Sequence, residues 1–270
     1  MNQNSKKMFV APLYSKQKVT KSVYRLDFYE PDLTPLFRAG QFVNVSIPRC
    51  KEIVWRRPFS IHRVNSDKGC FSVLFDIVGR GTLALKNIQK GDKVNMLGPL
   101  GNSFECPDDT EQVILIAGGL GIAPFYLFLQ QLEHRDIKKT IFYGAASAER
   151  FCCLNEFEQL DATLYLTTDD GSEGESGLIT EPLWRYLETA ELKRKTVLYT
   201  CGPTLMLKEV QKISKQFKLP AFVSVENVMA CGFGACMGCA VPLDQPGEKR
   251  YLLACTDGPV FPINEIVIDG

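Results

Sequence analysis

Val113-Ile114-Leu115-Ile116-Ala117-Gly118-Gly119-Leu120-Gly121-Ile122-Ala123-Pro124 opens a run of twenty residues, ending at Leu132, that carries no charge. That is the length of a membrane span, but Gly118, Gly119, Gly121 and Pro124 interrupt its middle. The run reads better as a strand over Val113–Ala117, a tight turn, and a buried helix entered at Pro124, since proline suits a first helical turn. It is not the G-x-G-x-x-G fingerprint. The physics is related, because glycines allow close backbone approach and a helix start presents N–H groups to an anion such as a dinucleotide pyrophosphate. A purely structural turn is the alternative.

Residues 103–219 repeat that pattern. Apolar strands at Thr140–Ala145, Thr163–Thr167 and Thr196–Cys201 alternate with helical stretches near Asn155, near Glu181 and from Pro203 to Lys218. Such alternation predicts a parallel sheet with helices on its faces and ligands at the carboxyl ends of the strands. Cys201-Gly202-Pro203 lies at one such end. Cys201 is a poor candidate for a nucleophile, since the chain has only two histidines, His62 and His134, neither near it in sequence. Asp169-Asp170-Gly171-Ser172 reads as a solvated turn that can also reach a ribose. Ser147 and Arg150 can hold a 2′-phosphate, while Glu149 opposes one, so NAD against NADP stays open.

Residues 1–102 have a different rhythm. Short β-rich runs at Lys18–Tyr29, Gln41–Ile47, Phe59–Val64, Cys70–Val78 and Lys93–Leu97 are separated by turn signals such as Pro31-Asp32 and Gly91-Asp92. They predict a small antiparallel barrel. Arg57-Pro58-Phe59-Ser60 begins one strand. An arginine there can fork onto a pyrophosphate, Phe59 can pack on a flavin, and Ser60 can bond its ring edge. Arg56 competes for the arginine role, and an exposed Arg with a core Phe is the plain alternative. Gly79-Arg80-Gly81-Thr82 before the helical run Leu83–Ile88 offers an anion site or a simply capped helix.

Residues 220–270 are too few to bury a large core and call for a metal staple. They contain Cys231, Cys236 and Cys239, then Cys255 after fifteen intervening residues. C-x4-C-x2-C…C is the plant-type [2Fe–2S] spacing: the close triplet wraps one side and the distant cysteine closes the other. Gly232, Gly234 and Gly238 let the backbone curl so that N–H groups approach the sulfurs. Zinc, the rival, normally takes two short-spaced pairs.

Composition sets limits. The chain has 270 residues, 45% of them hydrophobic, zero formal net charge and ten cysteines. Length suits two or three domains. The absence of a basic stripe argues against nucleic acid, and the lack of a signal h-region or span argues for a cytoplasmic chain with reduced thiols and no membrane partner.

The barrel with Arg-Pro-Phe-Ser, the Gly-Gly-x-Gly-Ile-Ala-Pro turn and Cys-Gly-Pro together resemble the ferredoxin–NADP reductase superfamily, in which Tyr often stands where this chain has Phe59. The stretches Met229–Cys236 and Cys255-Thr256-Asp257-Gly258-Pro259-Val260-Phe261 narrow the resemblance. They are similar to the electron-transfer subunits of NAD-dependent (type B) dihydroorotate dehydrogenases, and the order of parts and length match along essentially the whole chain. Glu226-Asn227-Val228 is less typical of that family. The resemblance implies a multi-domain β plus α/β fold: an FAD-binding antiparallel β-barrel (1–102), an NAD-binding α/β domain (103–219) and a small [2Fe–2S] domain (220–270). FAD would be held by Arg57, Pro58, Phe59 and Ser60, with further contacts from Leu74, Phe75, Asp76, Gly81 and Thr82. NAD would lie near Gly118, Gly119, Gly121, Pro124, Cys201, Gly202 and Pro203. The cluster ligands would be Cys231, Cys236, Cys239 and Cys255.

Nicotinamides move electrons in pairs and iron–sulfur clusters move them singly, so a flavin belongs between them. The family's partner is an FMN-containing catalytic subunit that oxidises dihydroorotate to orotate in pyrimidine synthesis, with two of each subunit forming a heterotetramer. Nothing in this chain suggests a general base for that oxidation or a βα barrel to hold FMN. The alternatives are a reductase subunit serving ferredoxin, a sulfite reductase or an oxygenase, and a zinc-stapled nucleotide-binding module.

Overall fold

The computed structural model describes residues 7–50, 52–245 and 247–268. The first half closes a six-stranded barrel from β1 (Lys7–Lys18), β2 (Val23–Tyr29), β3 (Phe42–Val45), β4 (Arg57–Asn65), β5 (Cys70–Asp76) and β6 (Lys93–Leu100), in the order β1-β2-β5-β4-β3-β6. Every pairing is antiparallel. Inward residues such as Leu26, Phe28, Val43, Ile61, Phe71, Val73 and Met96 fill it. Helix α1 (Arg80–Lys86) follows β5.

The first strand begins eleven residues before the first β run read from sequence. Pro12 hides it, because proline argues against a strand interior. In the barrel Pro12 is the last residue paired with β6, and pairing with β2 starts at Leu13, so its missing N–H falls between two ladders.

The second half is built on a seven-stranded sheet. Along the chain come β7 (Gln112–Gly118), α2 (Ala123–Gln131), β8 (Lys138–Ala145), α3 (Leu154–Glu158), β9 (Ala162–Thr168), β10 (Glu175–Ser176), α4 (Thr180–Thr189), β11 (Thr196–Cys201), α5 (Thr204–Phe217) and β12 (Ala221–Ser224). Two short strands, β13 (Ala240–Pro242) and β14 (Tyr251–Leu253), pair with each other, and β15 (Val260–Pro262) returns to the sheet. The sheet order is β10-β9-β8-β7-β11-β12-β15, parallel throughout except for β15. The charge-free run therefore divides into β7, a 3₁₀ turn over Gly119–Ile122, and α2. Among the described residues no helix is long and apolar enough to cross a membrane.

From β7 the chain steps outward through β8 and β9 to β10, then α4 carries it back to the other side of β7 as β11, which makes the carboxyl ends of β7 and β11 the topological switch point. The sheet also takes two strands, β12 and β15, from beyond residue 219. The cysteine-bearing segment leaves β12 and comes back beside it, with Ser224 and Val260 in register.

Candidate cofactor sites

A cavity of about 720 Å³ opens between the barrel and the switch point. Arg57, Pro58, Phe59 and Ser60 enter it from β4, and Leu74, Phe75 and Asp76 from β5, joined by Thr82, Pro124 and Cys201. The Phe59 and Phe75 rings sit 5.9 Å apart on its wall. Asp76 accepts a bond from Arg150 at 2.7 Å, while its other carboxylate oxygen is buried without a partner. A buried acceptor left open on a cavity wall suits a ligand donor. An adjoining cavity of about 330 Å³ is bounded by Arg57, Pro58, Phe59 and the turn Val78–Thr82, Gly81 included.

The two arginines separate cleanly. Arg56 is half-buried against β6 and donates to Asn95 O at 3.0 Å and to Asn95 Oδ1 at 2.5 Å. Arg57 is exposed and lines both cavities. The Thr82 hydroxyl accepts from the Val78 and Gly79 N–H groups at 3.0 and 3.2 Å, so it closes its own turn.

A second large cavity, about 740 Å³, lies over the sheet end and is lined by Gly118, Gly119, Leu120, Gly121, Gly202 and Pro203 among others. The glycines do different jobs. A side chain at Gly121 would land on the Cys201 carbonyl, and one at Gly118 would come within 2.5 Å of Pro203. Both exist to let the two strand-end turns touch each other. Gly119, at φ +54° with open space beside it, is the one that faces the cavity freely. Pro124 and Cys201, expected beside the nucleotide, line the first cavity instead. Leu120, Val225, Glu226 and Asn227 line both. Occupants of the two cavities would therefore meet at those residues.

Burial pushes the Glu226 carboxyl above its ordinary range. The Cys201 thiol is pushed up by burial first and by the Glu226 charge second, so it stays protonated. Sequence reasoning noticed Glu226 only as an oddity; its position two residues past a strand at the ligand edge was the available signal.

Two of the residues weighed around a 2′-phosphate, Arg150 and Glu149, are committed elsewhere. Arg150 bonds Ser22 at 2.8 Å as well as Asp76, and Glu149 pairs with Lys21 at 2.6 Å. Asp170 accepts from the Ser172 N–H at 3.0 Å, and Ser172 Oγ accepts from the Ala148 N–H at 2.8 Å, a turn that satisfies itself.

The four tail cysteines form two couples rather than a triplet and a single. The Cys239 and Cys255 sulfurs are 3.2 Å apart, and Cys231 is hydrogen-bonded to Cys236. Two thiolates per iron is what a [2Fe–2S] unit needs. Burial opposes ionisation of Cys231, but N–H groups of Phe233, Cys236 and Ala235 and the Cys236 side chain outweigh it and bring the thiol down to about 6. Cys255 is pushed up to about 12 by burial and then by the Cys239 thiol. Gly232 and Gly234 take φ of +78° and +92°, which curls the loop around its sulfurs. All ten cysteines are free of disulfides.

Further contacts join the barrel to the sheet half. His62, on β4 and fully buried, has Nδ1 2.8 Å from the Ala123 carbonyl at the start of α2. Glu156 on α3 pairs with Arg25 at 3.0 Å and with Arg63, both from the barrel.

Comparison with known proteins gives three family matches: an oxidoreductase FAD-binding domain over residues 10–104, an oxidoreductase NAD-binding domain over 115–212, and the iron–sulfur cluster binding domain of dihydroorotate dehydrogenase B over 226–267. A Desulforamulus reducens protein named dihydroorotate dehydrogenase B (NAD(+)), electron transfer subunit, is 37% identical over 97% of this chain and 98% of its own length. A Bacillus cereus protein of the same name is 32% identical over 94% of this chain and 96% of its own. Among solved structures, the NADH-dependent reduced ferredoxin-NADP oxidoreductase of flavin-based electron bifurcation superposes with a TM-score of 0.84 at 27% identity, covering 96% of this chain and 90% of that one. The cytochrome b5 reductase domain of Ulva prolifera nitrate reductase shares the fold alone, with a TM-score of 0.66 at 20% identity, over 79% of this chain and 94% of its own.

Proposed function

The chain belongs to the family of dihydroorotate dehydrogenase B electron-transfer subunits, and from that premise we propose that it collects electrons from an FMN-containing catalytic subunit and delivers them by way of a [2Fe–2S] cluster and FAD to NAD⁺. In this reading two copies join two catalytic subunits in the cytoplasm, and dihydroorotate is oxidised on the partner. When bound, a flavin exchanges electron pairs with a nicotinamide and single electrons with a cluster, which is the chemistry that joins the two ends. The observation that carries the reading is one stretch of chain. Val225–Met229 lines the barrel cavity, shares Val225, Glu226 and Asn227 with the nucleotide cavity, and runs directly into Cys231.

Named roles follow. Arg57 supplies positive charge for a pyrophosphate, Phe59 and Phe75 make the apolar wall, and the open oxygen of Asp76 takes a donor. The backbone around Gly118–Gly121 and Gly202–Pro203 seats a dinucleotide. Glu226 holds its proton to higher pH at the wall where the two ligands meet, and Cys201 stays a neutral thiol beside it. The N–H groups of Phe233, Ala235 and Cys236 favour the thiolate of Cys231. Cys231, Cys236, Cys239 and Cys255 hold the irons.

On the cluster segment Val228, Phe233, Met237 and Tyr251 are exposed apolar side chains, which suits a face turned toward a partner. The test is anaerobic. The chain alone, loaded with FAD, iron and sulfide, should reduce dyes with NADH yet form no orotate from dihydroorotate until the catalytic subunit is added. Orotate formed by the chain alone would overturn this division of labour. The likeness to the NADH-dependent ferredoxin-NADP oxidoreductase supports a second reading, a reductase for ferredoxin. Rapid electron exchange with ferredoxin, and none with the catalytic subunit, would select it.

A further inference from the structure

We propose that Asn44 is a positioning residue that fixes the Cys231 side of the cluster against the flavin-bearing strand and so sets the spectroscopic character and reduction rate of the cluster. The inference rests on the cluster and flavin assignments just made. Asn44 lies on β3, fully buried, and its register partner on β4 is Pro58, within the Arg-Pro-Phe-Ser segment. From there its side-chain Nδ2 donates to the carbonyl of Cys231 at 3.3 Å. One side chain thus bridges a strand of the first cavity and a cluster ligand's own backbone.

The fit is tight on both sides. A Cβ at Gly232 would stand 2.5 Å from Asn44 Nδ2 and 3.3 Å from Leu100, so the glycine is what lets the cluster loop come this close. Arg56 donates to the Asn44 carbonyl at 3.4 Å and to Asn95 on β6, pinning the strand behind it. The remaining polar atom, Asn44 Oδ1, is buried without a partner. A buried amide with one end unmatched is costly for stability alone. Its use here is the link it makes. Groups just outside a metal's ligands orient them and tune the metal.

The test uses the full chain carrying FAD and a reconstituted cluster, in parent form, as Asn44→Ala and as Gly232→Ala. The first variant removes the donor without crowding; the second keeps it and wedges the loop away. Both should keep the flavin absorption and the NADH-to-dye rate, both read on the flavin side. Both should shift the cluster's electron paramagnetic resonance g-values and slow its reduction after an NADH pulse by about tenfold. Failure of Asn44→Ala to rebuild its cluster under conditions where the parent succeeds also supports the assignment. Parent-like g-values and parent-like cluster reduction in Asn44→Ala overturn it, whatever Gly232→Ala does, and leave the cluster reading intact. A parent chain that takes up no iron and sulfide overturns both.

Discussion

Glu226 is a carboxyl whose burial works against its charge. Because its folded pKa is raised, its contribution to stability is whole below the ordinary carboxylate range and is lost as pH rises through the raised value. Glu226→Gln removes that penalty. Thermal melts of parent and variant should coincide near pH 4.5 and separate in favour of the variant toward pH 8, and equal separation at both ends would show that the carboxyl titrates normally. In the same variant, flavin reduction by NADH should lose pH dependence between those limits, as followed by stopped-flow absorbance. Cysteines can be sorted by the same reasoning. In the metal-free chain the Cys231 thiol, brought to about 6, should be alkylated by iodoacetamide at pH 7 well before buried Cys201, whose thiol stays protonated. Peptide mapping after timed quenching reads the order; Cys201 labelled first would refute it. The sequence made the cysteines legible because ligand spacing is local. It left Glu226 obscure, since its meaning comes from two cavities that touch only after folding.

At the scale of elements, the turn after β7 separates two uses of glycine that look alike in sequence. Gly119→Ala places a methyl at positive φ on the open cavity face, a stability loss of about 1 kcal/mol that should leave a folded chain with weakened NADH binding. Gly121→Ala drives a methyl into the Cys201 carbonyl and must displace one strand-end turn from the other. Its melting temperature should fall far more than that of Gly119→Ala, while both lose NADH affinity on titration; equal melting temperatures would mean that the packing of the two turns is unimportant. The strand–turn–helix itself was readable from Val113–Pro124, because hydrophobic run length, glycine density and proline position are properties of contiguous residues. Which glycine met backbone and which met ligand was not readable, since Cys201 lies eighty residues away. The first barrel strand escaped for a related reason: Pro12 is tolerated only because of where two ladders change over.

For the molecule as a whole, the barrel and the sheet are clasped through His62. Burial holds its imidazole at about 3, helped by Arg63 and Arg25 and opposed by the Ala123 carbonyl and Asp27, with Cys153 and Glu156 also facing it. The folded value is below the unfolded one of 6.5, so the unfolded chain takes up the proton first on acidification. Stability from this group is complete above 6.5 and is lost as pH falls toward 3, with a slope of about 1.4 kcal/mol per unit. Urea unfolding from pH 7 to 4 should show that slope in the parent and a shallower one in His62→Phe; parallel curves would place the acid sensitivity elsewhere. At this scale the sequence conveyed the order of barrel, sheet and cysteine tail, yet not how the tail is attached. Ser224 and Val260 sit side by side, and the Val225 N–H meets the Pro259 carbonyl at 2.9 Å, so the cysteine-bearing excursion begins and ends at a single point on the sheet. A segment anchored that way is a cassette. Changing its far end would not thread the remaining chain differently. Grafting a different metal-binding loop between Met229 and Gly258 would therefore re-wire what the flavin talks to, provided that the graft refills the core places of Cys239, Val241, Ala254 and Cys255.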